Sequence, residues 1–254
     1  MQDPMLCKEE NIGDKQHWSE VFLNFVYPPV CQLCGEEAAD YDKGYIGPIC
    51  FSRVKRIKPP FCERCGLPYY GDITGTFECS NCKGVRFYFK NARSALIADE
   101  FVLGIIHAYK YNAQVWLEKF LASELIKAAL GAIQKGGFNF IVPVPLHPLK
   151  KRERGFNQAA CIAKHLGTAS GLPVREDLVM RVVHTRTQTT LSKKERLKNV
   201  TGAFGPISDT DITGSKVIIV DDVFTTGATT NACARVLKDM GADEITVWTV
   251  ARGL

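Results

Sequence analysis

The chain has 254 residues, 46% of them hydrophobic and 23% charged, with a formal net charge of +5. That length and apolar fraction support a real core in one large or two modest domains, and exclude an intrinsically disordered chain. No apolar run approaches the roughly 18 residues that a membrane helix needs, and the polar start MQDPMLCKEENIGDKQHW lacks the hydrophobic stretch of a secretory signal.

A cytoplasmic protein without membrane insertion is therefore expected, and ten cysteines in a reducing compartment point to metal ligation over a disulfide framework. Residues 1–17 read as a tail. Trp18, Val21, Phe22, Phe25 and Val26 then share one face of a short helix that Tyr27, Pro28 and Pro29 stop. Cys31 and Cys34 with Gly35, and Cys62 and Cys65 with Gly66, both read C-x-x-C-G, and Cys79 and Cys82 add a further C-x-x-C. Two intervening residues let both sulfurs reach one tetrahedral ion, and the glycine permits the left-handed turn that follows.

Cys62, Cys65, Cys79 and Cys82 form a complete four-thiolate set for zinc. Such closed coordination leaves no position for a substrate, so the ion holds the fold, contributing ~10–16 kcal/mol of apparent binding energy in small fingers. Cys31 and Cys34 would pair with Cys50, but Arg53 stands where a fourth cysteine is expected. Either Asp40 or Asp42 completes that set, a ligand comes from elsewhere, or the site is degenerate. A redox role is disfavoured, because these knuckles sit among prolines and glycines without a βαβ pattern. Cys7, Cys161 and Cys233 read as unpaired, the last two packing as small hydrophobes in helices. Residues 18–84 are thus expected to form a helix plus a zinc-binding double-knuckle domain, and 85–254 a second domain.

In that second domain, 86–88 and 95–98 look like strands, and 101–111 and 116–133 are helical by their periodicity, with Gly136 and Gly137 as a stop. A buried strand over 140–145 precedes the basic segment 146–154, and a turn at 155–158 opens a helix through Ala160, Ala163 and Leu166. A strand is expected over 174–183, then a long basic loop without clear periodicity until Phe204, of the kind that serves as an active-site lid. Strand 217–220, helix 229–240 and strand 245–250 follow. This alternation predicts an α/β fold, a parallel sheet flanked by helices, joined to the small N-terminal cysteine-rich zinc domain.

Residues 216–230 read KVIIVDDVFTTGATT. Val217 to Val220 have the composition of a strand buried on both faces, and Asp221 and Asp222 follow at once. Ligands of open α/β sheets bind outside the carboxyl ends of the strands. Backbone N–H groups at a tight turn and the next helix start suit a phosphate, Gly227 keeping a β-carbon out of its way. The two carboxylates can accept hydrogen bonds from vicinal hydroxyls, so phosphate beside diol spells a ribose 5-phosphate. A Walker B strand would need a GxxxxGK[ST] loop elsewhere, and the chain has none.

This stretch resembles the phosphoribosyl pyrophosphate (PRPP) signature of type I phosphoribosyltransferases. With VPVPLHPLKKRERGFNQA, RTQTTLSKKERLKNVTGAF and the cysteine knuckles, residues 20–252 look like the ComF family. The family joins an N-terminal zinc domain to a phosphoribosyltransferase domain, and several members are implicated in DNA uptake during natural transformation. The resemblance implies PRPP binding by Asp221, Asp222, Val223, Thr225, Thr226, Gly227, Ala228 and Thr229, with structural zinc and with magnesium accompanying PRPP. It places a pyrophosphate loop over 146–154, where His147, Lys150, Lys151, Arg152 and Arg154 could neutralise the diphosphate. Lid residues Lys193, Lys194 or Arg196 could stabilise the leaving charge beside Asp221 and Asp222 in a closed, dry site. The basic residues could as easily track a DNA backbone, and Arg154 and Gln158 could simply pair with neighbouring loops. Two functions follow: transfer of phosphoribose to an unidentified acceptor, or handling of single-stranded DNA, alone or with competence machinery, in which PRPP is at most a regulator.

Overall fold

The computed structural model describes residues 30–39, 44–69, 71, 79–112, 114–183 and 202–254. The helix expected over 18–26, Asp40 and Asp42, and the loop expected over 186–199, with Lys193, Lys194 and Arg196, lie outside the described residues. In chain order the elements begin with α1 (Pro48–Ser52), β1 (Asn91–Ile97), α2 (Glu100–Tyr111), α3 (Leu117–Gly136), β2 (Phe140–Pro143) and α4 (Pro148–Arg154). They continue with α5 (Gln158–Ser170), β3 (Val179–Arg181), β4 (Phe204–Pro206), β5 (Lys216–Phe224), α6 (Ala228–Asp239) and β6 (Glu244–Arg252).

Four strands form one sheet in the order β1-β6-β5-β2, and every pair is parallel. The inner strands β5 and β6 are buried almost end to end, as two-faced burial of β-branched runs requires. One core joins a face of this sheet to α3 and α5 and takes in Cys31 and Cys50; the other joins the opposite face to α6 and the antiparallel β3–β4 pair and takes in Cys62, Cys65, Cys79 and Cys82. The cysteine-rich segment is thus part of both cores, and Arg56 ties it to α3 through the buried Glu124 at 2.6 Å.

Both outer edges of the sheet carry a short cover. Beside β1, Ile57 donates to Ala95 and Ile97 donates to Lys55, each at 2.8 Å, around a bridge between Arg56 and Leu96. Beside β2, Ile141 donates to Pro173 at 2.9 Å and Arg175 donates to Ile141 at 2.8 Å, around a bridge between Ile141 and Val174.

Several elements differ from the sequence reading. Residues 86–88 are not a strand: the Asn231 side chain satisfies their backbone, accepting from Tyr88 N at 2.7 Å and donating to Arg86 O at 2.9 Å. The strand expected over 174–183 is split: Val174 bridges Ile141 beside β2, whereas only residues 179–181 form β3, paired with β4. The segment read as a pyrophosphate loop is mostly helix, with His147 capping α4 by accepting from Leu149 N at 3.3 Å and Gly155 closing it in the left-handed region at φ 85°. The acid pair does not follow β5 but lies within it, because β6 is long enough to keep pairing, Asp221 with Thr249 and Phe224 with Arg252. Cys161, read as unpaired, is disulfide-bonded.

Candidate functional site

The acid pair sits near the carboxyl end of β5, with Asp221 and Asp222 only 8% and 5% exposed. Successive strand residues point to opposite faces, so the two carboxylates cannot share one environment. Asp221 Oδ1 accepts from the backbone N–H of Asp222 at 2.9 Å. Burial, then the neighbouring Asp222 charge, raises the Asp221 carboxyl from 3.8 to about 7, with Lys110 and Arg181 opposing. Asp222 is held differently: Gln158 Nε2 donates to its Oδ2 at 3.0 Å, and Lys110 Nζ closes an ion pair on the same oxygen.

Three helices deliver these partners. Lys110 comes from the last turn of α2, Gln158 opens α5, and Arg154 of α4 donates to Gln158 Oε1 while lying 4.9 Å from the Tyr111 ring centre. Arg181 on β3 is pushed down by burial and held up by Asp221, and Lys150 is pushed down by burial and by the charges of Arg181 and Arg154. Lys150, Arg154 and Arg181 thus form a group of cations around the acid pair, whereas Lys151 and Arg152 point into solvent. Buried Tyr109 donates to Glu118 at 2.9 Å, and His165 meets the same carboxylate at 2.8 Å, so that histidine has a structural partner.

The turn after β5 runs through exposed Thr225 and half-buried Thr226 to Gly227, at φ 75°, and into α6. A β-carbon on Gly227 would lie 2.5 Å from Phe224 Cζ. The glycine is required by its left-handed backbone and by the Phe224 ring, a reason the sequence reading had assigned to ligand approach. Thr226 Oγ1 accepts from Ala228 N at 3.3 Å, Thr229 is half-buried in the first turn, and Val223 packs into the core opposite Ala251.

Beneath the turn lies Arg252, 1% exposed. Its guanidinium donates to Thr225 O at 2.8 Å, Phe224 O at 3.2 Å and Gly253 O, and reaches across to Cys65 O at 3.0 Å and Cys65 Sγ at 3.6 Å. One buried cation therefore braces both the β5–α6 turn and a cysteine knuckle. A cleft of about 640 Å³ lies on the flank of α6, between Tyr88, Asp209, Asp211, Asn231 and Arg235, and does not include the acid pair.

Cys62, Cys65, Cys79 and Cys82 converge as the sequence predicted, with sulfur separations of 3.8, 3.4 and 3.4 Å for the pairs 62–82, 65–79 and 79–82. A tetrahedron with Zn–S bonds of about 2.3 Å has edges of about 3.8 Å, so the donor set fits zinc with modest adjustment. Cys31, Cys34 and Cys50 also converge, and the carboxylate that joins them is Glu37.

Among the described residues, no helix is long and apolar enough to cross a membrane. Residues 22–83 match the double zinc ribbon domain, and residues 156–254 match the phosphoribosyl transferase domain. Competence protein F of Haemophilus influenzae is 33% identical over 212 residues, spanning 80% of this chain and 90% of that protein. The chain belongs to the ComF family. DNA utilization protein YhgH of Escherichia coli K12 is similar at 30% identity over 89% of this chain and 98% of its own length. Competence protein ComFC of Bacillus subtilis is similar at 24% over 80% and 82%. Adenine phosphoribosyltransferase of Saccharomyces cerevisiae, 20% identical, covers 54% of this chain and 69% of its own at a TM-score of 0.33, too loose a likeness to argue from.

Lys110, Arg181, Arg252 and Glu37 are the residues that sequence reasoning missed. The first three are isolated cations whose partners lie far along the chain. Glu37, by contrast, stood three residues from Cys34, closer than the aspartates considered in its place.

Proposed function

We propose that this ComF-family chain binds PRPP at the crest of β5 and transfers its phosphoribosyl group to an acceptor, in support of DNA uptake. The observation that carries this reading is an acid pair on a buried strand that runs directly into left-handed Gly227 and the start of α6. The 5-phosphate rests against the N–H groups of residues 225–229, where first-turn donors lack intrahelical partners and the helix dipole favours an anion. The ribose hydroxyls donate to the Asp221 and Asp222 carboxylates.

Since Lys110 and Gln158 occupy Asp222, the diol enters by exchange. Released Lys110 then adds its charge to that of Lys150, Arg154 and Arg181, which face the diphosphate. Breaking the bond at C1 leaves positive charge on the ribose and negative charge on pyrophosphate; the acid pair stabilises the first and the cations the second. Asp221 and Asp222 are the carboxylates at this crest that would hold a magnesium ion, which would supply charge neutralisation for the diphosphate. Lys193, Lys194 and Arg196 are proposed to assist the leaving group. The link to DNA rests on the relatives, which are competence and DNA utilization proteins.

Titration calorimetry of the full chain with PRPP and magnesium, followed by pyrophosphate release across a panel of nucleobases, tests this reading. Saturable binding is expected, weakened about 30-fold or more by Asp222→Asn, since losing one buried charged partner costs about 2–5 kcal/mol. Absence of saturable PRPP binding ends it. Exposed Lys151 and Arg152, outside the cation group, favour a second role in holding single-stranded DNA. Affinity would then fall with salt at a log–log slope of about −0.7 per phosphate contact. No binding at low ionic strength would dismiss that role.

A further inference from the structure

The N-terminal knuckle is one cysteine short of a standard set, because Arg53 occupies the fourth position. Arg53 leaves the site altogether, its guanidinium lying 4.1 Å from the Phe101 ring centre. We infer that Glu37 replaces it, so that Cys31, Cys34, Glu37 and Cys50 hold a zinc ion through three thiolates and one carboxylate. One potential ligand atom from each of the four lies within 4.8 Å of the others.

The two knuckles are built alike up to this residue. In the complete set, Gly66 N donates to Cys62 O at 2.9 Å and Cys62 N donates to Leu67 O at 2.8 Å. In the incomplete one, Gly35 N donates to Cys31 O and Cys31 N donates to Glu37 O, both at 2.7 Å. The carbonyl that accepts from the first cysteine thus belongs to a leucine in one knuckle and, one residue further along, to a glutamate in the other.

That carboxylate turns inward and is fixed there. Glu37 Oε2 accepts from Ile49 N at 2.7 Å, Oε1 accepts from Cys50 N at 2.9 Å, and Oε1 lies 3.7 Å from Cys34 Sγ. Ligating carboxylates are commonly oriented by such outer hydrogen bonds. Capping those two N–H groups would by itself explain the first two contacts but not the company of three sulfurs. Gly47 supplies an independent sign of a built site: a β-carbon there would lie 2.2 Å from Glu37 Cγ and Cδ and 2.7 Å from Oε1. The backbone has been left bare where the glutamate passes.

The charge count equals that of a four-thiolate site, three thiolates plus one carboxylate, but one donor is a hard oxygen bonding zinc at about 2.0–2.2 Å. Soft-donor affinity is therefore lower, and Cys34 is exposed whereas Cys62, Cys65, Cys79 and Cys82 are all buried. The two ions of the double ribbon are consequently unequal, and this one leaves first.

The experiment is zinc content by mass spectrometry and zinc release to a colorimetric chelator, on the full chain as purified. The wild type should carry about two zinc ions and release them in two phases, one fast and one slow. Glu37→Gln and, separately, Gly47→Ala should each lower the content to about one and abolish the fast phase, while an unchanged slow phase reports an intact second site. A measurement without any variant is cadmium-113 resonance of the cadmium-loaded chain, where one signal should fall in the all-sulfur range and one upfield, as an oxygen donor requires. A wild type with a single zinc, a Glu37→Gln chain that keeps both phases, or two cadmium signals in the all-sulfur range would each overturn the assignment.

Discussion

Arg252→Met is the substitution that most directly probes how the β5–α6 turn is held. The guanidinium is buried and satisfies carbonyls from both sides, so removing it strands Cys65 O and Thr225 O. Phe224 O is spared because Gly253 N also donates to it at 2.8 Å. At about 1–3 kcal/mol for each stranded acceptor, the gross loss is about 2–6 kcal/mol. Some of this returns, since methionine has similar reach and no charge to keep from water. A net loss of about 2–4 kcal/mol corresponds to about 4–16 °C in Tm for a chain of this size, at roughly 2–4 °C per kcal/mol. The assay is thermal unfolding at fixed zinc, with chelator release from the Cys62 set recorded on the same samples. That release should accelerate, because the guanidinium also faces Cys65 Sγ. A variant that melts within about 1 °C of the wild type and keeps its zinc as long would refute the bracing argument.

Other expectations follow from the same geometry. Asp221 has its carboxyl raised from 3.8 to about 7, so between those values the folded chain binds more protons than the unfolded one; stability from this group is present in acid and lost as pH rises through 7. Asp221→Asn should flatten the fall in Tm between about pH 4 and 7, and an unchanged slope would show that other groups produce it. Lys110→Met leaves Asp222 buried with Gln158 as its remaining side-chain partner among the described residues and should cost about 3 kcal/mol. In a denaturant double-mutant cycle with Asp222→Asn the coupling should be about 1–3 kcal/mol, and strict additivity would mean the pair contributes nothing. Gly227→Ala meets both a left-handed backbone and the Phe224 ring and should cost more than about 1–2 kcal/mol. A near-neutral effect in the same assay would mean that the turn relaxes freely.

Much of this architecture is legible in the sequence because it is local. The apolar run before Asp221, the helical periodicity over 101–111 and the C-x-x-C spacings each encode their element within a few residues. The acid pair is legible for the same reason, as two carboxylates abutting an apolar strand followed by a small, hydroxyl-rich turn. What escaped depends on distance along the chain. Arg252 meets Cys65 across 187 residues and Lys110 meets Asp222 from another helix, and a single cation carries no pattern that announces its partner. The strand over 86–88 failed because composition cannot reveal that a side-chain amide, instead of a neighbouring strand, will satisfy the backbone. Glu37 was missed because a metal set was sought at cysteine spacing, whereas the knuckle brings the next turn of chain back onto the sulfurs.

The short covers on the two sides of the parallel sheet have a bearing on how this molecule meets its own kind. Unpaired strand edges act as templates for intermolecular pairing, and this fold presents neither β1 nor β2 bare. The guard on the β1 side is residues 55–57, carried by the zinc-bearing part of the chain, so metal loss would do more than loosen a ribbon. Any loosening that overcame the Arg56–Glu124 tie would bare backbone donors and acceptors along β1, so an apo chain is expected to self-associate more readily than a zinc-loaded one.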